Sequence, residues 1–594
     1  MSPAPPLAPL NFLSVTVICA YFALLLSVGW AFKRFNRTTS DYFRGGQRGT
    51  WWLVGTSVYV SMISAWTFTG GAAQAYDWGW GIMWNYWPGG LGFLLCALVF
   101  AAWFRQLRAT TGPEAIGMRF NEATRQIMGW KNVLGTPLLS ALHLYGLATF
   151  ASAVFGFDVA TMIIAMGLLV TIYSTTGGRF AVMANDFIQA AIVLPMGALV
   201  AWLSLRQIGG WQALLDGVEA ANLTERFAFI KNAEQIPANG TYGLAWIAAA
   251  ILFFMVLNNL NVGVAARFFS VKDSREARWA AWLTVAMIGF TVFLWFIPPI
   301  VARLLYASEV AAIPLKNPAE GAYALVAVKL LPASLVSMML VAIFAATLSS
   351  VDTALNGNTA IVMRDLYPAI WRLLGREQAG ENAQLAASRW ITFAFGGLVT
   401  LVALTYAQLK ELSLFDLMMN VLALTGMPFQ IPLFWGLFVR RVPRWAAIFS
   451  GIATIVPALI MFFDTSLLGF AVTWQARVLV QFSIGTATFF LSMLWWPRVS
   501  AADRAHIDAF FKRMHMPVDF EAEVGAASDL AQLKTVGSFT LLVGCGVSLL
   551  TLTPSIAGDR PIVLGLASVY VVLGAVMLGL SRRKRLRVLP PRPL

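Results

Sequence analysis

The sequence predicts an all-α, polytopic membrane protein whose central helices form two inverted repeats, and three observations carry that expectation. Hydrophobic residues fill 59% of the 594 positions and charged residues only 12%, with a mean hydropathy of +0.71. Apolar runs of about 20 residues, long enough to cross a bilayer as helix, recur about fifteen times. Two of these runs, five helices apart, are interrupted by small and polar residues at corresponding places. A soluble chain is excluded by this composition. The formal charge of +14 raises nucleic acid as a partner, but the basic residues are scattered through short connectors, so membrane lipid is the expected surrounding and no nucleic acid is expected.

Taken in order, the spans are expected near 11–32, 52–76, 81–104, 127–153, 157–175, 181–205, 244–269, 279–305, 334–363, 390–410, 412–439, 443–464, 478–497, 536–554 and 560–581. The first ten residues hold no Lys or Arg, and Lys33 and Arg34 follow the first apolar run, so that run is expected as a retained helix and not a cleaved signal. With the N-terminus outside, about four in five of the 42 basic residues fall on inward connectors, Arg105, Arg108, Lys131 and Arg267 among them. The positive-inside rule then places the N-terminus outside and the C-terminus in the cytoplasm of a plasma (inner) membrane protein, which requires an odd number of spans. Residues 205–243 form a long outward connector. Residues 498–535 form an inward one, whose DRAHIDAFFKRMHMP reads as an amphipathic, interfacial helix. The closing RRKRLR reads as a topology anchor. Cys19, Cys96 and Cys545 all lie in apolar runs, without metal-ligand or disulfide spacing, and read as packing residues.

The 52–76 run carries Ser61, Ser64, Thr67 and Gly70-Gly71; the 244–269 run carries Asn258, Asn259, Asn261 and Gly263. Five helices apart, the two cross in opposite senses, giving repeats 52–205 and 244–439. Broken helices at equivalent places in inverted repeats point to a binding site near the bilayer midplane, because unwinding frees backbone carbonyls for a cation. Tight helix packing is the bland alternative. A third stretch, FAATLSSVDTALNGNTAIVMRDLY from Phe344 to Tyr367, sets Ala346, Ser349 and Ser350 at i, i+3 and i+4, with Asp352, Thr353 and Asn356 extending the stripe. Hydroxyls there serve either a hard cation or helix contacts. An ionisable residue such as Asp352 inside a span counts as a functional candidate by default.

GGRFAVMANDFIQ (Gly177 to Gln189), RFFSVKDSREARWA (Arg267 to Ala280) and the Phe344–Tyr367 stretch together resemble the sodium:solute symporter family, with Asn185 where that family's motif has Thr. The resemblance implies a ten-helix inverted-repeat (5+5) leucine-transporter-like core. Residues 51–444 would form that core, 1–50 would add one helix before it, and 445–594 about four after it. It implies Na+ as coupling ion, held by Val60, Ile63, Ala346, Ser349 and Ser350. It also implies a second cation or proton site at Asp186, with Ser349, Asp352 and Thr353. A cytoplasmic-edge cap by Asp186 or a salt bridge from it to Arg179 is the alternative. The solute cavity it implies offers Trp66, Thr67, Asn85, Tyr86, His143, Asn258, Asn259, Asn420 and Gln430, although a lone histidine on an apolar helix is more often structural. The aromatic run from Trp78 to Trp87 reads as an interfacial belt.

The function implied is sodium-coupled symport of a small organic solute by alternating access, with a monomer sufficing. A membrane sensor of the same fold and an uncoupled or proton-coupled permease are the alternatives; no soluble domain is expected after Ser581. No enzyme is expected, because no nucleophile, base and orienting group fall at workable spacing.

Overall fold

A computed structural model describes residues 12–33, 47–175, 179–237, 239–260, 267–409, 413–463, 472–523, 525, 529–552 and 559–588. Each expected span coincides with helix over most of its described length. Among the described residues ten helices are long and apolar enough to cross a membrane, and four shorter apolar ones lie at Phe12–Val28, Val159–Ile172, Leu244–Leu257 and Ala446–Phe462. The only extended pairing among the described residues is one bridge between Gly49 and Val271. The architecture is the all-helical leucine-transporter-like one.

The 52–76 run is broken as expected. Trp51–Val60 is helix, residues 61–64 are not, and helix resumes at Ala65–Phe68 and again at Gly70–Trp78. A break inside a membrane leaves backbone groups that must find partners within the protein. The Ala333–Ile361 helix, buried along nearly all its length, supplies them. Thr347 Oγ1 accepts from Ala65 N–H at 2.8 Å, and Ser350 Oγ donates to the carbonyls of Ser61 and Ile63, both at 3.0 Å. Ser64 caps the resumed helix by accepting from Trp66 N–H. Two glycines let the broken segment approach its neighbours. A Cβ at Gly55 would lie 2.5 Å from the Ala280 carbonyl, and one at Gly146 would lie 3.2 Å from the backbone nitrogen of Trp66. In the 244–269 run, helix is continuous over Leu244–Leu260. The break expected at Asn261 and Gly263 lies outside the described residues, as do the side chains of Asn258 and Asn259.

Three expectations change. Lys131 is not in a connector: it lies in the third turn of the Glu122–Phe155 helix, whose start is set earlier by the Asn121 cap. The 501–514 helix does not lie free on a membrane surface. Its apolar residues Ile507, Phe510 and Met514 are buried against the end of the bundle, and acidic groups of the 498–535 segment reach the core's connectors: Glu523 to Arg108 (2.6 Å), Asp508 to Arg440 (2.6 Å), Asp503 to Arg444 (2.8 Å) and Asp529 to Lys272. The Trp78–Trp87 aromatics are no belt. Trp80 is buried and stacks with Phe229, Trp87 stacks on the same ring, and Trp84 Nε1 donates to the Phe229 carbonyl at 2.8 Å. They pack beneath the 205–243 segment, which forms short helices at Trp211–Ala220 and Thr224–Phe227.

Candidate functional site

The break opens onto a cavity of about 280 Å³. Its walls come from the broken helix (Tyr59, Ser61 to Ser64, Trp66), the following segment (Asn85, Tyr86) and one face of the Glu122–Phe155 helix. Residues from Phe254 to Trp295, from Ser350 to Ile361 and from Met418 to Gln430 complete them. On the Glu122–Phe155 helix, Asn132, Thr136 and Ser140 follow at i, i+4 and i+8, with His143 beyond. This polar stripe on an apolar helix is a signal legible in the sequence that marks the wall.

Of the expected solute residues, Trp66, Asn85, Tyr86, His143 and Gln430 line the cavity. Three of them carry buried polar atoms without a hydrogen-bond partner: Asn85 Oδ1, His143 Nδ1 and Gln430 Oε1. Buried polar atoms are normally satisfied, so three unpartnered ones on residues of a single cavity wall stand out. The others stand elsewhere. Thr67 is buried behind the wall, where it accepts from the Tyr86 hydroxyl at 3.0 Å. Asn420 is turned away and accepts from Arg477 at 3.0 Å; the cavity takes Met418, Met419 and Leu422 from that stretch.

At one end the cavity is closed. Trp66 stacks on Phe415 with ring centroids 6.1 Å apart, and its Nε1 donates to the Leu414 carbonyl at 3.3 Å. Leu414 N–H in turn donates to Glu320 at 3.2 Å. Burial pushes the Glu320 carboxyl up to about 7. At the other end the lining runs to Thr110, Thr111 and Ile361. There Asp365, on the far side of Thr111, is held by Arg125 at 2.7 Å and by the Thr111 hydroxyl at 2.7 Å.

The residues expected around sodium divide between two places. Ser350 Oγ lies 3.0 Å from the carbonyls of Ser61 and Ile63 and 3.3 Å from that of Ala346. These are neutral oxygens converging on one hydroxyl, a donor set suited to a monovalent cation. Val60 is one residue off: its carbonyl accepts from Ile63 N–H at 3.0 Å, and the carbonyl of Ser61 stands beside Ser350 instead. Ser349 points the other way, donating to Asp186 Oδ1 at 2.5 Å.

Around Asp186 the structure places a group that sequence reasoning assigned to a connector. Arg267, 1% exposed, sets its guanidinium 3.4 Å from Asp186 Oδ2, itself on a residue 1% exposed. Arg267 also donates to Ser57 Oγ at 2.7 Å and to Thr353 Oγ1 at 2.6 Å, and Ser57 Oγ donates to Asp186. Arg267 thus brings a covalently tethered positive charge to Asp186 and Thr353, two of the residues expected around a second cation. Arg179, the alternative partner, lies among side chains outside the description. Asp352, the fourth member, is buried one turn on and accepts from Asn356 Nδ2 at 2.6 Å. The arginine was legible as the first residue of the RFFSVKD stretch; its inward reach was not, because a residue at a span's end can face solvent or core.

Residues 42–454 match the sodium:solute symporter family. The chain is 25% identical over 498 residues to the sodium/glucose cotransporter 2 of Rattus norvegicus, covering 77% of this chain and 73% of that one. It is 23% identical over 464 residues to the sodium/sialic acid symporter SiaT of Proteus mirabilis, covering 76% and 89%. A solved substrate-bound, outward-open structure of a Na+-coupled sialic acid symporter superimposes with a TM-score of 0.67 at 20% identity, over 82% of this chain and 98% of that one, a likeness of fold.

Proposed function

The chain belongs to the sodium:solute symporter family, and from that footing we propose how its cavity carries out sodium-coupled symport of a small organic solute. Sodium binds where the broken helix meets the 333–361 helix, on the carbonyls of Ser61, Ile63 and Ala346 and the hydroxyl of Ser350. The solute binds alongside, in the cavity whose lining includes Trp66, Tyr86, Asn85, His143 and Gln430. One observation carries this reading: the helix break whose freed carbonyls gather on Ser350 forms part of the wall of the same cavity that Asn85, His143 and Gln430, each with an unpartnered polar atom, also line. Adjacent ion and solute sites let each raise the other's affinity, a reciprocal coupling that an uncoupled permease does not need.

Orientation follows from the basic connectors: N-terminus outside and C-terminus cytoplasmic, in the plasma or inner membrane. The end closed by Trp66, Leu414 and Phe415 then faces outward, and the end lined by Thr110, Thr111 and Ile361 faces the cytoplasm. In this conformation Asp186 is neutralised by Arg267, so the reading assigns sodium to the Ser350 position alone. The test is a panel of labelled small solutes in proteoliposomes with and without an inward sodium gradient. Accumulation of one solute that collapses when sodium is replaced by choline is expected. Equal uptake with and without sodium overturns the reading in favour of an uncoupled permease.

A further inference from the structure

The charges around the cavity say more about the solute than its shape does. Among the described residues that line it there is no aspartate or glutamate, and there are two cations, Arg267 and Lys131. Arg267 is matched by Asp186. Lys131 is matched by nothing: among the described residues no ion pair and no hydrogen bond engages its ammonium, and the carboxylates nearest in sequence and at that end of the bundle are committed elsewhere. Glu122 holds Gln126, Glu114 accepts from Thr110 N–H, and Asp365 holds Arg125 and Thr111.

Position matters as much as charge. Lys131 and His143 lie on one helix, twelve residues and so about 18 Å apart along it. The contact of Asn358 Nδ2 with the Val133 carbonyl sets Lys131 near the last turns of the 333–361 helix, beyond Ser350 toward Thr110 and Ile361. A lysine inside a membrane span is costly and persists where a counter-charge or water reaches it. Sodium on neutral oxygens brings a second positive charge into the same chamber without bringing a negative one. The group that balances them has to arrive with the solute.

Resting on the symport reading above, we propose that the solute is a small organic anion with a carboxylate, and that Lys131 is a specificity-determining residue that receives this carboxylate in the inner half of the cavity. An ammonium meeting a carboxylate in a partly desolvated chamber makes a charge-assisted hydrogen bond about twice as strong as a neutral one. A primary amide of the same shape forgoes that bond, and an amine meets repulsion.

The test uses the full chain, purified and reconstituted, with matched probes: lactate beside lactamide, benzoate beside benzamide, and galacturonate beside galactose. Binding is read as sodium-dependent quenching of tryptophan fluorescence, and transport as sodium-driven uptake. At least one acid is expected to give a saturable, sodium-dependent response that its neutral counterpart lacks. Lys131→Gln should raise that acid's half-saturation about tenfold, while Lys131→Arg, which keeps the charge, stays within about threefold of wild type. A neutral probe that matches or exceeds its acid, or an acid whose half-saturation ignores Lys131→Gln, overturns the proposal and returns Lys131 to a lysine neutralised by water. Silence to every acid while sodium alone still alters the fluorescence overturns the anion class and leaves sodium binding intact. Silence to sodium as well brings down the symport reading beneath it.

Discussion

Arg267→Gln is the most discriminating perturbation, because it separates an arginine that fills a cation position from one that merely packs. In the wild type the guanidinium and Asp186 are each 1% exposed and 3.4 Å apart, and both are further bonded to Ser57. Removing one partner of a buried pair leaves an uncompensated charge, which costs about 3–5 kcal/mol. The lost bonds to Ser57 and Thr353 fall within that figure, since they belong to the same group. Asp186→Asn alone leaves the arginine stranded and should cost a similar amount. In the double variant neither charge is left, so the two losses should not add, and a coupling of about 1–3 kcal/mol is expected. Equilibrium unfolding of the purified protein in mixed micelles, run as a double-mutant cycle, measures it. Run at zero and saturating sodium, the cycle also asks whether the vacated place takes an ion: Arg267→Gln should gain sodium-dependent stability beyond the wild type's. Single variants that each cost under about 1 kcal/mol, with no coupling and no added sodium effect, would refute the pairing.

Three further outcomes follow. Ser350→Ala removes one oxygen from the proposed sodium position, worth about 1–2 kcal/mol, so half-maximal uptake should require roughly 5–30 times more sodium; unchanged sodium dependence returns Ser350 to capping the helix break. Reporters fused after Leu594 and before Ser2 should read cytoplasmic and external, and an external C-terminus would invert the assignment of which end of the cavity is closed. Glu320, pushed up to about 7 by burial, keeps a proton in the folded state that the unfolded chain releases near its ordinary value of 4.5. Stability should therefore fall as pH rises from about 4.5 to 7, by roughly 3 kcal/mol, and level off above. Glu320→Gln should flatten that slope in pH-dependent unfolding, and an unaltered slope would place the titration elsewhere.

What the sequence disclosed and what it withheld divide along physical lines. The spans, the break at Ser61–Ser64 and the hydroxyl stripe around Ser350 are local signals, set by apolar length and by polar groups where lipid tolerates few, and a single segment is enough to reveal them. Side-chain direction at the ends of helices is not local. Arg267 and Lys131 both read as anchors because basic residues at span ends usually are; which way each turns depends on helices distant in sequence, Arg267 toward Asp186 and Lys131 toward the cavity. Asn420 and Thr67 failed as cavity residues for the same reason. Each sits on the expected helix, and a rotation of about 100°, one residue's step, decides between the cavity and a neighbour such as Arg477 or Tyr86. The Trp78–Trp87 run was misjudged because tryptophan suits an interfacial belt and a packed cap equally well, and residues far along the chain, Trp211, Phe229 and Phe293, distinguish them.

The 333–361 helix joins these features into one device. Within seven residues it presents Thr347 to a backbone N–H of the break, Ser350 to the break's carbonyls, Ser349 to Asp186 and Thr353 to Arg267. Ser349 and Ser350 are adjacent, so on a helix they diverge by about 100° and serve different partners. A shift of the broken helix against this one therefore disturbs the carbonyls proposed for sodium and the Asp186–Arg267 pair together. Sodium favours the arrangement in which its oxygens converge, and the guanidinium favours the one in which Asp186 can be reached from the 267 side. When those two arrangements differ, sodium binding shifts the balance between them by no more than its difference in affinity for the two. On the proposed assignment, a tethered cation gives the empty carrier a defined resting state, and the energy that shifts it comes from the ion proposed at Ser350.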